Sequence, residues 1–387
     1  MLEQYSLSMP GAVYSGRGAL ERIREIAEGR FKKAAVFTDR GVEQAGLLAV
    51  PMEQLRAAGA ETVVITDLPA EPSCDEAQDI IDRFRETGAD LIVAVGGGSV
   101  MDVAKLASIG AGDSVTVRAL LDDPTLGKKE VPTLMVPTTA GTGSEATMNS
   151  IVAVPERQLK VGIVNPDMIP DYVILDGSLL KNLPKKIGAS TGIDAMAHAV
   201  ECFTSNKANP FSNLYAKEAA KLIFRNIETA CEDPDGEEAK TNMLMAAFYA
   251  GVAISSSGTT AVHALSYPLG GKYHIPHGVS NAMLLLPVMR FNKSACLKEF
   301  AELFDAAVAE PSDWQLTEEE KAQGLLNRME EIIRRLEIPS SLSAFGVPRE
   351  DLEDLVSAGL DVKRLLNNNK KEITREEARA LYLEIMG

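Results

Sequence analysis

Four short apolar runs set the frame of the first half of the chain: Ala34–Phe37 (AAVF), Thr62–Ile65 (TVVI), Leu91–Val95 (LIVAV) and Leu134–Val136 (LMV). They are dominated by aliphatic side chains, bounded by turn formers, and shorter than a buried helix. Helical patterns lie between them, over roughly Val42–Ala58, Asp75–Thr87 and Met101–Ile109. Strands without polar alternation, separated by helices, predict a parallel sheet covered on both faces. Two extended stretches around Ile151–Ile163 flank PERQ and predict a β-hairpin, and Tyr172–Leu175 predicts a closing strand.

After Pro184 the pattern changes. Helical periodicity predominates over Ile187–Thr204, Ser212–Ala230, Glu238–Ser256, Ala295–Val308, Thr317–Leu336, Arg349–Ser357 and Arg375–Ile385, with turns at Asn209-Pro210 and Asp233–Gly236. At about 150 residues per domain, the 387 residues accommodate two domains, an α/β domain over 1–185 and an all-helical domain over 186–387.

Charge narrows the partners. The net charge of −16 argues against a nucleic-acid or anionic-membrane binder, since both ligands are met with concentrated Lys and Arg. No run approaches the ~18 apolar residues of a membrane span. The start, MLEQYSLSMPGAVYSG, lacks a basic segment followed by an apolar one, and Cys74, Cys202, Cys231 and Cys296 stand far apart. The expectation is a soluble cytoplasmic protein with reduced thiols.

Two glycine-rich turns then carry chemistry. Strand LIVAV runs into Gly96-Gly97-Gly98-Ser99 and the helix near Met101. Such a turn lets backbone N–H groups and the helix dipole face a phosphate, or serves only as a tight connection needing positive φ. Ser99 is a candidate helix cap and anion donor, with Asp102 in the first turn beyond it. The second turn, Pro137 to Glu145 (PTTAGTGSE), crowds small hydroxyls at the same predicted sheet edge. Asp39 ends the first strand, where a carboxylate accepts ribose hydroxyls and repels a 2′-phosphate, or merely forms a turn. Together the three strand ends suggest a dinucleotide site.

All four histidines, His198, His263, His274 and His277, fall in the helical half. Asp194 and His198 are four residues apart in GIDAMAHAVE and share one helix face. His263 lies in a second apolar helical segment, and His277 in a loop shaped by Pro276 and Gly278. One carboxylate and three imidazoles suit a borderline metal such as Fe²⁺ or Zn²⁺, with His274 competing for the fourth place.

These residues are recognisable together. GGGSVMDVAK, PTTAGTGSEAT, GIDAMAHAVE and HALSYPLGGKYHIPHG, in that order, resemble the signatures of the iron-containing (group III) alcohol dehydrogenases over essentially the whole chain. The resemblance implies an α/β N-terminal dinucleotide-binding domain with a parallel sheet and an all-α C-terminal domain, the dehydroquinate synthase-like architecture, with an active site in the cleft between them. It implies Asp194, His198, His263 and His277 as metal ligands. It further implies Gly97, Gly98 and Ser99 as the pyrophosphate turn, Thr138, Thr139 and Thr147 as a second cofactor loop, Lys160 at the nicotinamide-side ribose, Leu179 lining the cofactor cleft, and Asp39 favouring NAD over NADP.

One departure is informative. Where many members carry a second histidine four residues after the third ligand, this chain has Tyr267, while His274 stands just ahead of the last ligand. Tyr267 and His274 are the two candidates for a proton relay. The function implied is reversible hydride transfer between NAD and an alcohol or aldehyde at a divalent metal, iron or alternatively zinc, in a homodimer or larger homo-oligomer. Alternatives are a zinc-dependent glycerol-dehydrogenase-like enzyme and a non-catalytic NAD-binding scaffold. Phe203, Met148 and Val252 are candidate pocket walls, against a plain core reading.

Overall fold

The structure, a computed structural model, describes residues 4–112, 115–157 and 159–387. Gln158, at the tip of the expected hairpin, and residues 1–3, at the start of the segment read for a leader, lie outside the described residues. The chain divides into two compact units, Ser8–Leu183 and a second made of Pro184–Gly387 with the first residues through Leu7.

In the first unit six strands form one parallel sheet: β1 (Ala12–Ser15), β2 (Lys33–Phe37), β3 (Glu61–Ile65), β4 (Leu91–Gly96), β5 (Thr133–Pro137) and β8 (Tyr172–Leu175), in the order β1-β8-β5-β4-β2-β3. Every residue of β4 and β5 is buried, which explains their unbroken apolar sequences. Two strands, β6 (Asn149–Val154) and β7 (Leu159–Val164), form the expected antiparallel hairpin. The register pairs Phe37 with Ala94 and Gly96 with Pro137. It therefore brings Asp39, the Gly96–Ser99 turn and Thr138 to one carboxyl edge, where the strand order switches sides between β2 and β4 and open α/β sheets bind ligands.

Two expectations in this unit are corrected. The helix expected over Val42–Ala58 is two helices, Arg40–Gln44 and Ala49–Ala57, because Gly46 turns left-handed between them at φ 72°. Strand β1 lay outside the expected set; it is a half-exposed edge strand of four residues, too short to show a pattern.

The second unit is helical, with long helices Lys185–Thr204, Pro210–Glu232, Glu237–Ser257, Ala261–Tyr273, His277–Asn292 and Glu318–Arg335. His277 is not in a loop: it is the first residue of its helix, directly after Pro276, a position that needs no intrahelical N–H partner. The helices bearing His263 and His277 show no amphipathic period because they are buried nearly all round, and each holds an internal proline, Pro268 and Pro287. Phe203 and Val252 are buried core residues. No helix among the described residues is long and apolar enough to cross a membrane.

Candidate active site

In the helical unit the sequence puts Asp194 and His198 one turn apart on the helix Lys185–Thr204. The helix beginning at His277 packs against it so closely that a Cβ on Gly278 would lie 2.3 Å from the Ser190 carbonyl oxygen, so only glycine permits the approach. That approach puts His277 Nε2 3.6 Å from Asp194 Oδ1. His263 Nε2 lies 3.5 Å and His198 Nε2 3.8 Å from the same oxygen. Asp194, His263 and His277 each offer a ligand atom within 4.8 Å of the others, and the His198 ring stacks on that of His263 at 4.5 Å.

This donor set fits a divalent metal. Two ligands held about 2.1 Å from one ion at a tetrahedral angle lie ~3.4 Å apart, close to the separations around Asp194. Burial alone would push the Asp194 carboxyl up, but the imidazoles of His198, His277 and His263 outweigh it and hold it far below the usual carboxylate range. His274 is not part of the cluster. It is exposed at the carboxyl end of the His263 helix, in a left-handed conformation at φ 54°. Tyr267 is buried one turn after His263, with its ring 6.2 Å from that of His277.

A residue beyond the expected set organises this centre. Glu201, fully buried, lies two helical turns after Asp194 on the same face. One oxygen accepts from the backbone N–H groups of Thr260 (3.0 Å), Val262 (2.9 Å) and His263 (3.4 Å), and from the Thr260 hydroxyl (2.8 Å). It thereby caps the His263 helix from outside, where a carboxylate meets the positive end of the helix dipole. The other oxygen bonds His263 Nδ1 directly, leaving Nε2 to face Asp194. Burial would lower the proton affinity of His263, but Glu201 and Asp194 outweigh it and raise its pKa to about 9. The i, i+4, i+7 spacing of Asp194, His198 and Glu201 was the available signal.

In the α/β unit the glycines of the first turn serve close packing. The helix starts at Gly98 with Gly97 as its N-cap, φ −81°, so the turn needs no positive φ. A Cβ on Gly98 would lie 2.6 Å from the Thr142 side chain, so the two glycine-rich loops touch there. Ser99 is not the cap; its Oγ accepts from the N–H of Glu71 at 3.1 Å. Thr138 is buried, with its N–H on the Gly96 carbonyl at 3.0 Å, and Thr139 is half-buried beside Gly97. Leu179 is buried in the short turn Gly177–Leu180.

Asp39 caps the helix Arg40–Gln44, Oδ1 accepting from the Val42 N–H at 2.9 Å. Both oxygens of Asp102 are engaged internally, Oδ1 with the Ser144 hydroxyl (2.5 Å) and Lys105 (3.0 Å), Oδ2 with the Ile151 N–H (2.9 Å). Asp102 thus ties the first turn to the second and to the hairpin. Lys160 is buried and paired with Glu71 at 2.7 Å. Thr147 accepts from the buried Lys105 ammonium at 3.0 Å.

Beside that lysine, Glu145 is buried with Oε1 unpartnered among the described residues, and burial pushes its pKa up from 4.5 to about 7. A raised acid is favoured by folding when protonated. Its contribution to stability is therefore complete below pH 4.5 and lost as pH rises to about 7, amounting to about 3 kcal/mol. Glu145→Gln, neutral throughout, is expected to gain in melting temperature relative to the native chain as pH rises through that window. A difference that stays constant with pH would place the titration elsewhere.

Residues 10–177 match the family model for iron-containing alcohol dehydrogenases, and 188–386 match that for the C-terminal part of the Fe-containing alcohol dehydrogenase family. The chain is similar to long-chain-alcohol dehydrogenase 1 of Geobacillus thermodenitrificans (strain NG80-2), 34% identical over 377 residues, covering 96% of this chain and 94% of that one. Among solved structures it resembles a 1,3-propanediol oxidoreductase, with TM-score 0.92, 28% identity, and 99% and 100% of the two chains covered. It also resembles sulfoacetaldehyde reductase from Bifidobacterium kashiwanohense in complex with NAD⁺, with TM-score 0.87, 28% identity, and 100% and 99% covered. With both halves matched and that relative aligned nearly end to end, the chain belongs to the iron-containing alcohol dehydrogenase family.

Proposed function

We infer that the chain interconverts a small alcohol and its aldehyde or ketone, using NAD and a divalent metal, iron in the first instance. The observation that carries this reading is the convergence of Asp194, His263 and His277 within 4.8 Å, with His198 alongside. These four residues would hold the ion. When bound, the metal supplies Lewis acidity toward the substrate oxygen, and NAD takes or gives the hydride. Glu201 fixes the His263 ring so that Nε2 is the ligating nitrogen. Tyr267, buried beside His277, is better placed than the exposed His274 to pass the substrate proton toward solvent.

The α/β unit is the dinucleotide domain in this reading, and the helical unit the metal and substrate domain. Backbone N–H groups of Gly97, Gly98 and Ser99, at a helix start, would receive the pyrophosphate. Thr138, Thr139 and Thr147 would add hydroxyl contacts, Lys160 would reach the ribose once released from Glu71, and Leu179 would line the cofactor site. Asp102 supports this site by bracing the turn. The family and the NAD⁺ complex of a relative support the cofactor and metal. A cytoplasmic homodimer or larger homo-oligomer completes the proposal, checked by light scattering and cell fractionation.

The test is direct: purify anaerobically, measure bound metal, and follow nicotinamide absorbance with NAD⁺ and short alcohols, then with NADH and aldehydes. Metal-dependent turnover supports the reading; no turnover across the panel with metal bound and NAD saturating would end it. Asp39 carries the cofactor preference. Removing its charge from the end of β2 should admit a 2′-phosphate, so Asp39→Gly is expected to raise kcat/KM for NADP⁺ by about tenfold relative to NAD⁺, the scale of one like-charge contact. An unchanged ratio would remove Asp39 from that role.

A further inference from the structure

Asn281 lies one turn beyond His277 on the same helix face and is fully buried. Its Nδ2 donates to Asp194 Oδ1 at 2.7 Å and lies 3.1 Å from His263 Nε2 and 3.2 Å from His277 Nε2. One amide group thus faces three of the four atoms assigned to the metal. Its other end, Oδ1, is buried without a hydrogen-bond partner among the described residues. A buried carbonyl left unpaired costs stability, so its persistence at this point asks for a second use.

We propose that Asn281 is a further metal-centre residue, one that turns its carbonyl oxygen toward the ion when the site is loaded and its amide hydrogens toward the ligands when it is not. The proposal rests on the metal reading of Asp194, His263 and His277. Its physical basis is the opposite polarity of the two ends of a carboxamide. Amide hydrogens are attracted by a carboxylate oxygen, here Asp194 Oδ1, and repelled by a cation among the same atoms. The carbonyl oxygen behaves in the reverse way and is a ligand type that divalent metals accept beside nitrogen and carboxylate. A half-turn about the Cβ–Cγ bond exchanges the two ends within nearly the same volume, and that torsion is soft in asparagine. With the donor end inward, the ligands stay converged without mutual repulsion between acceptors. With the acceptor end inward, the ion gains an oxygen neighbour and Oδ1 gains a partner.

The experiment uses the full chain loaded with Co²⁺, whose visible spectrum reports its ligands. Asn281→Leu keeps the approximate volume and removes both ends; Asn281→Asp keeps an oxygen and removes the donor. The Leu variant is expected to lose Co²⁺ to excess chelator roughly 10- to 100-fold faster than the native chain, with an altered visible spectrum. The Asp variant should retain Co²⁺ at least as well as the native chain, while its metal-free form melts at lower temperature because two carboxylates then face each other. A Leu variant with native release rate and native spectrum overturns the proposal, even if its melting temperature falls. So does an Asp variant that releases Co²⁺ faster than the native chain, which decides the matter if the Leu variant does not fold. A native chain that takes up no Co²⁺, or an Asp194→Ala variant that retains it, instead overturns the metal reading and this proposal with it.

Discussion

Asp194→Ala is expected to abolish metal retention and to lower turnover by about 1000-fold or more. The physical case is that Asp194 is the shared neighbour of the whole cluster, with the Nε2 atoms of His263, His277 and His198 at 3.5, 3.6 and 3.8 Å from one of its oxygens. It is also the anionic member of the proposed ligand set, so its loss leaves a cation facing only neutral imidazoles. Lewis-acid stabilisation is worth several kcal/mol, and about 4 kcal/mol corresponds to that loss of rate. Asp194→Asn provides the isosteric control, with the volume and one oxygen kept and the charge removed. Its metal content should fall nearly as far, because charge rather than shape is what it lacks. The measurements are metal per chain after dialysis, kcat with metal resupplied, and circular dichroism to show that the helices persist. Native kcat in a folded, metal-free Asp194→Ala protein would dismiss the four-residue ligand assignment.

What could be read from the chain, and what could not, follows from which interactions leave a one-dimensional trace. β2, β4 and β5 were legible because burial on both faces makes their sequences continuously apolar. Asp194 and His198 were legible because helical spacing alone puts them on one face. The helix starting at His277 was hidden by Pro287 and by burial on every side, which erases the period. The close packing within the first glycine turn was hidden for a different reason. Gly98 answers to Thr142, 44 positions later, and no local rule reports that contact. Glu201 and Asn281 were passed over because their meaning lies in partners on other helices. A carboxylate reads as a helix cap only when the end of the Ala261–Tyr273 helix is known to stand in front of it.

Glu201 also yields the second large effect, and the choice of substitution separates its two tasks. Glu201→Gln retains an oxygen able to accept from Thr260, Val262 and His263, so the cap on the His263 helix survives. The other oxygen becomes an NH₂ group facing His263 Nδ1, which must then accept rather than donate. That reversal moves the ring proton to Nε2, the nitrogen facing Asp194, and a protonated nitrogen cannot ligate a metal. Metal affinity is therefore expected to fall roughly 10- to 100-fold while the melting temperature of the metal-free protein changes little. Glu201→Ala removes both tasks. It leaves several buried donors at the helix start without an acceptor and is expected to destabilise the metal-free fold by about 3 kcal/mol or more, at about 1–3 kcal/mol per orphaned group. Chelator competition and thermal melting, run on both variants, resolve the two contributions. Native metal affinity in the Gln variant would show that the orientation of His263 is set by something other than this carboxylate.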